Sequence, residues 1–274
     1  MPELPEVETI VRDLRPALLG RTVERASLAH TDVLRGVTRP TLIRGLRGAR
    51  IDGLFRRAKH AVFELGRRRL VVQPGMTGAL VLHDAPLDAE GSRYAVLQAL
   101  LDDGRTLVYR DVRRLGTLLW LDPRGWDRYD AAIGPEPLDE AFTAKALRAA
   151  AGKTRQCIKK ALMDQRLLAG VGNIYANEAL FAAGIDPSRE SVRLGEGEWT
   201  ALHRELRRIL SAAVSGRGST VRDYTTGTGG KGSFQLSLLA YGREGEPCVR
   251  CGTTLAGTHA LDARITIFCH RCQT

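Results

Sequence analysis

Four cysteines stand in the last 27 residues, as Cys248-Val-Arg-Cys251 and, 17 residues further on, Cys269-His-Arg-Cys272. Two close thiolate pairs at this spacing complete a tetrahedral four-sulfur shell around Zn²⁺, and a closed shell of that kind is structural rather than catalytic. A pair of disulfides is the alternative, disfavoured by the spacing and by the compartment expected for this chain. His270 sits inside the second pair, where a knuckle points its middle residues outward. The fifth cysteine, Cys157, falls on an apolar helical face and is expected to be a buried core thiol. At the other end the chain opens "MPELPEVE". Two prolines and the carboxylates suit a helix start, because proline has no N–H to leave unpaired and acids complement the positive helix end. A small second residue normally lets the initiator Met1 be removed. The chain would then begin with the secondary amine of Pro2 beside Glu3 and Glu6, a reactive arrangement. Glu3 and Glu6 are three apart and share one helix face. Glu8 points elsewhere and is expected to be a solvated or structural carboxylate.

Elements must hold these groups in place, and the pattern supplies them. Residues 3–19 carry Val7, Ile10, Val11, Leu14 and Leu18 at helical spacing, with Gly20 as a stop. From about 21 to 121 the chain breaks into short β-like runs punctuated by Gly, Pro and Asp, as in an all-β sandwich or barrel. "IGPEPLDE" (133–140) has the look of a linker, and 141–215 is helical in pattern. Residues 216–233 are too rich in Gly, Thr and Ser to pack and are expected to form a mobile loop. "GVGN" (170–173) separates two helical stretches. Its backbone N–H groups and Asn173 could grip a phosphate, and an ordinary helical-hairpin turn is the other reading.

Composition narrows the function classes. The 274 residues allow two domains and a small appendage, and 43% hydrophobic content excludes global disorder. No run approaches the length of a transmembrane helix, and the N-terminus is the opposite of a signal region, so a cytoplasmic chain is expected. The net charge of +10, carried mostly by Arg, suggests a polyanion such as DNA or RNA as partner, although charge alone does not decide it.

Taken in order, "PELPEVE", "RRAK" (56–59), "GMTG" (75–78), "DVRRLG" (111–116), "GPEPL" (134–138), "DQRLLAGVGNIYANEALF" (164–181) and "YGREGEPCVRCG…FCHRCQ" (241–273) resemble the formamidopyrimidine-DNA glycosylases, bacterial repair enzymes for oxidised purines. The resemblance spans nearly the whole chain. It implies a multidomain α+β fold: an N-terminal helix with an antiparallel β-sandwich, a helix-two-turn-helix domain and a C-terminal zinc-finger β-hairpin. The corresponding boundaries are 1–132, a linker at 133–142, 143–235 including a lesion-covering loop, and 236–274. The function it implies is excision of 8-oxoguanine and formamidopyrimidines from duplex DNA, followed by strand cleavage by β,δ-elimination. The partner is double-stranded DNA, the cofactor is one structural zinc ion, and the enzyme works as a monomer.

The resemblance also assigns roles. Pro2 is the nucleophile, Glu3 the general acid–base and Glu6 its orienting partner; Lys59 and Arg264 complete the catalytic set. Gln73, Met76, Arg113, Leu115, Lys159, Asn173 and Arg264 contact DNA. Met76 fills the gap left by the flipped base, Arg113 reads the orphaned partner base, and Leu115 is a second wedge. Arg56 and Arg57 add phosphate-facing charge. Two departures stand out. Gln73-Pro74 replaces a more common His-Leu and cannot be charged. Leu115 replaces a more common Phe and loses aromatic stacking. The sister endonuclease VIII enzymes typically have Gly where this chain has Leu4, which favours the purine-directed branch. An endonuclease VIII-like preference for oxidised pyrimidines and a non-catalytic DNA-binding module are the competing readings, and intact Pro2, Glu3, Glu6 and Lys59 count against the last.

Overall fold

In a computed structural model, residues 1–88, 90–219, 227, 229, 230 and 232–274 are described. The chain divides into two compact units, 1–131 with 216–233, and 132–215 with 234–274.

In the first unit, helix α1 (Leu4–Leu18) begins where the proline-rich opening allows, with Pro5 in its first turn and Glu3 at its N-cap. Its apolar stripe, Val7, Ile10, Val11, Leu14 and Leu18, is fully buried. Two sheets build the sandwich. One has the order β1 (Val23–Leu28), β7 (Ala95–Leu101), β8 (Thr106–Asp111), β6 (Gly78–His83). The other runs β2 (Leu34–Arg35), β9 (Thr117–Leu121), β5 (Arg68–Gln73), β4 (His60–Leu65), β3 (Gly53–Arg57). Leu54, Phe63, Leu70 and Val72 of one sheet meet Leu80, Leu97, Leu107 and Tyr109 of the other in one apolar core that also takes in α1. Burying that much apolar surface is what holds the unit together.

Three details differ from the sequence expectation. β2 pairs with β9 in parallel, within an otherwise antiparallel sheet. Residues Arg39–Leu46 form helix α2, where only β-like runs were expected; Leu42 and Leu46 bury its short apolar face. Helix α3 (Pro123–Ala131) had no periodic signal beyond Trp126, its one buried residue.

The second unit contains α4 (Ala144–Ala151), α5 (Ile158–Met163), α6 (Asn173–Ala183), α7 (Glu196–Ser215) and a two-stranded hairpin, β10 (Ala256–Thr258) with β11 (Thr266–Phe268). α5, a turn and α6 make the helical hairpin expected around "GVGN". Gln165 organises that turn: its Nε2 donates to the Met163 and Val171 carbonyls, and its Oε1 accepts from Gly170 N–H. Gly170 has φ +80°, a left-handed conformation that a side chain would strain. Cys157 is half-buried at the N-cap of α5 and bridges to Glu190, so it is not the core thiol that the pattern suggested. The expectation of a mobile loop over 216–233 falls largely on residues 220–226, 228 and 231, which lie outside the described residues. No helix among the described residues is long and apolar enough to cross a membrane.

Candidate active site

The first turn of α1 gathers three buried groups: Pro2, Glu3 and Glu6. Glu6 Oε2 accepts the Glu3 N–H at 2.9 Å, one half of a capping box, and its Oε1 accepts the Ser219 N–H at 2.7 Å. One carboxylate therefore fixes the backbone next to Pro2 and the stem of the 216–233 segment together. Arg217 adds a second tie, its guanidinium pairing with Asp13 of α1 at 2.8 Å.

Lys59 is buried in the two-residue turn between β3 and β4. Ala58, just before it, has φ +51°, a conformation costly for a residue with a Cβ, so the surrounding contacts must enforce it. They do. Arg56 donates to Glu8 of α1 at 3.0 Å and to the Ala58 carbonyl at 3.0 Å. Arg57 pairs with Asp130 of α3 at 2.5 Å, and Tyr129 of α3 meets His60 Nδ1 at 3.0 Å. Arg56 and Arg57 are thus struts for the turn rather than free phosphate-facing charge. Glu8 is a structural carboxylate. Burial raises its pKa, but the hydrogen bond from Arg12 and the charge of Arg56 outweigh this and hold it below the usual carboxylate range.

His60 carries a testable consequence. Burial pulls its pKa from 6.5 down to about 4, and the Lys59 and Arg57 cations help while hydrogen bonds to the Arg57 carbonyl and Gln73 oppose. The unfolded chain takes up this proton near its ordinary pKa, and the folded chain resists until about 4. Stability is therefore fully present above that ordinary value and is lost as pH falls through the window, by up to about 3 kcal/mol. Urea unfolding of the parent and of His60→Phe at pH 7 and pH 4.5 should show the parent losing about 2.5 kcal/mol more than the variant. Parallel pH profiles would refute the buried neutral imidazole.

The residues expected to act as wedges lie on two loops. Met76, in the turn between β5 and β6, is 43% exposed, and Leu115, in the loop between β8 and β9, is 52% exposed. The Arg113 guanidinium reaches to 3.9 Å from Met76 Sδ. Val112, in the same loop as Leu115, is also exposed and was not anticipated. Gln73, half-buried on β5, accepts from the Thr117 hydroxyl at 3.1 Å; as an uncharged residue it is tied into the sheet.

In the second unit two of the expected DNA contacts, Lys159 and Asn173, are more inward than the sequence implied. Lys159 was assigned a direct DNA contact. It is fully buried, and its Nζ donates to the Ile265 carbonyl at 3.0 Å and the Thr266 hydroxyl at 2.7 Å. A buried ammonium must be satisfied internally, and carbonyls of the hairpin do that here. Asn173 Nδ2 donates to the same Ile265 carbonyl at 3.1 Å, and Asn177 Oδ1 accepts the Ile267 N–H at 2.8 Å. α5 and α6 thereby grip the strand that follows Arg264, whose own side chain remains exposed near Asp262. Glu178, another residue not anticipated, is buried and accepts N–H groups from Leu239, Ala240 and Tyr241, anchoring the chain as it enters the cysteine module.

Cys248, Cys251, Cys269 and Cys272 converge so that their sulfurs all lie within 4.8 Å of one another, a group able to hold a metal ion. Cys248 and Cys272 sulfurs are 4.0 Å apart and those of Cys251 and Cys269 3.5 Å, close to the separations in a tetrahedral four-sulfur site with metal–sulfur bonds of about 2.3 Å.

With this geometry, comparison with known proteins decides the family. Residues 1–118 match the formamidopyrimidine-DNA glycosylase N-terminal domain, and residues 133–225 match the H2TH domain of the same enzymes. The chain belongs to the formamidopyrimidine-DNA glycosylase family. It is 45% identical to the formamidopyrimidine-DNA glycosylase of Thermomicrobium roseum, covering 100% of this chain and 99% of that one, and 41% identical to that of Stutzerimonas stutzeri over the full length of both. Among solved structures it is similar to the MutM (Fpg) protein of Thermus thermophilus, with 38% identity, TM-score 0.87 and coverage of 99% and 98% of the two chains. It is likewise similar to the Lactococcus lactis Fpg in complex with abasic-site DNA, with 34% identity, TM-score 0.89 and 99% of both chains covered. The family's members are DNA glycosylases of DNA repair, and the chain is an enzyme of that kind.

Proposed function

We propose that the chain excises oxidised purines from duplex DNA and cleaves the strand at the resulting abasic site. The observation that carries this reading is the proline placed just before a helix with two buried carboxylates at its start, Glu3 at the N-cap and Glu6 in the first turn. Once Met1 is removed, the Pro2 amine attacks the sugar C1′. The C1′–N bond to the damaged base breaks, the base leaves with the electron pair, and the proton lost from the newly bonded Pro2 nitrogen ends on the departing base. Glu3 protonates the ring oxygen O4′ as the C1′–O4′ bond opens, which leaves a C1′=N⁺ iminium. That cation acidifies the C2′ hydrogen; loss of this proton expels the 3′ phosphate, and a second elimination expels the 5′ phosphate. Hydrolysis of the iminium returns the amine.

Lys59, held by the strained turn, serves the sugar–phosphate at this centre. Met76, Arg113 and Leu115 occupy the space of the flipped base and face its orphaned partner, and Gln73 supports the Met76 turn. In the second unit Asn173 and Arg264 engage phosphate, while Lys159 acts indirectly by holding the Arg264 hairpin. The four cysteines hold one Zn²⁺ as a structural ion. It ties the two ends of the module and takes no part in the chemistry.

Borohydride reduction tests the reading. It should convert the iminium into a stable covalent adduct on a duplex carrying 8-oxoguanine opposite cytosine. An adduct formed only with oxidised pyrimidines would favour the endonuclease VIII-like alternative. Absence of any adduct, with Met1 removal verified by mass spectrometry, would overturn the enzymatic reading of the site.

A further inference from the structure

The two loops that carry Met76 and Arg113–Leu115 come from different strand pairs, yet a wedge works only if their tips keep a fixed spacing. A single buried carboxylate lies between them. Asp111, the last residue of β8, is 2% exposed. Its Oδ1 accepts the Thr77 hydroxyl at 2.6 Å, from the residue after Met76. Its Oδ2 accepts the Gly116 N–H at 2.8 Å, from the residue after Leu115, and the Tyr109 hydroxyl at 3.1 Å. The Thr77 oxygen in turn accepts the Arg113 N–H at 3.0 Å. The chain of bonds therefore runs from Arg113 through Thr77 to Asp111 and on to Gly116.

Three features make this a dedicated clasp rather than ordinary loop bonding. Charge-assisted bonds to a buried carboxylate are stronger than neutral ones. The two loop backbones touch where only glycine fits: a Cβ on Gly116 would collide with the Tyr109 hydroxyl, the Gln73 carbonyl and the Gly75 amide. Tyr109 stays a donor, because burial and the adjacent carboxylate push its phenol well above the usual range.

We infer that Asp111, acting through Thr77 and the Gly116 amide, is the positioning residue that sets the spacing of Met76, Arg113 and Leu115. The inference rests on the proposed role of those three side chains as the wedge. Without the clasp the tips would separate, and insertion into the duplex would slow while the chemistry at α1 stayed intact.

The test compares two substrates. Excision of 8-oxoguanine from a paired duplex requires the wedge. Trapping on an abasic site in single-stranded DNA does not, since no partner base or stack must be opened. Asp111→Asn and Thr77→Val should each slow single-turnover duplex excision by about 10- to 100-fold, the scale expected for small misplacements. Borohydride trapping on the single-stranded abasic site should stay within about twofold of the parent, and Thr77→Ser, which keeps the hydroxyl, should restore duplex excision. Thr77→Val lies at the half-buried edge of the network and keeps the comparison valid even if Asp111→Asn fails to fold. Duplex excision by Thr77→Val within about twofold of the parent overturns the inference, and so does an equal loss on both substrates. Met76→Ala separates the layers. If it leaves duplex excision unchanged, the wedge reading itself falls and the inference with it. If it impairs excision while Thr77→Val does not, only the clasp is wrong.

Discussion

Glu3→Gln should lower the single-turnover rate of 8-oxoguanine excision by about 10²- to 10⁴-fold, the range typical of losing a positioned general acid–base. The fold should not suffer. Gln keeps an acceptor oxygen at the N-cap of α1, and the reciprocal bond, from the Glu3 N–H to Glu6, belongs to the backbone and is untouched. The substitution removes only the capacity to give and take a proton in a buried position. A pre-formed abasic site already exposes an aldehyde at C1′, so the Pro2 amine can form its iminium there without expelling a base. Borohydride trapping on abasic DNA should therefore persist within about tenfold while excision of the intact lesion is lost. Equal loss on both substrates would place Glu3 in positioning the amine rather than in protonating the sugar. Retention of full excision would remove Glu3 from the mechanism.

How far the sequence carries can be judged from particular residues. Within each CxxC pair, and within the N-terminal Pro-Glu pattern, the partners lie a few residues apart, so spacing is informative there, although the two cysteine pairs meet each other across 18 and 24 residues. The pair of helices flanking "GVGN" was legible in outline, although the residues just before it, 164–169, are turn rather than helix. Lys159 was not, because what buries it is a strand more than 100 residues further on, whose carbonyls accept its ammonium. Its sequence neighbourhood, two adjacent lysines on a short helix, looks like a surface. Arg56 and Arg57 misled in the same way. Their partners Glu8 and Asp130 are distant in the chain, and only folding shows the charges to be internally neutralised. Asp111 sits in a motif that advertises its arginines, and its own role appears only when two separate loops close over it. Helices α2 and α3 escaped because each buries just one or two side chains, too few to impose a helical period on the sequence.

The cysteine module leads to the second large effect, since its own apolar core is small and the zinc ion proposed for the four cysteines would supply much of its stability. Its buried cluster is Phe181, Ala240, Cys248, Leu255, Ile267 and Cys269, so two of six core members are themselves proposed ligands. β10 and β11 have three residues each, and an isolated two-stranded hairpin is marginal in water. Binding of a structural zinc contributes on the order of 10–16 kcal/mol in comparable small modules, far more than such a cluster can. Cys251→Ser should therefore release the metal, speed hydrogen exchange of the 256–268 amides to near the unstructured rate, and free the Arg264 loop. Excision from a lesion duplex should fall by about 100-fold or more as Arg264 loses its fixed position. The sandwich has its own core and should keep its exchange protection, so the loss would be confined to the module. Metal content, exchange by mass spectrometry and single-turnover excision read the three consequences separately. A metal-free Cys251→Ser protein that keeps hairpin protection would mean that the clasp of Lys159, Asn173 and Asn177 suffices to hold this strand without the ion.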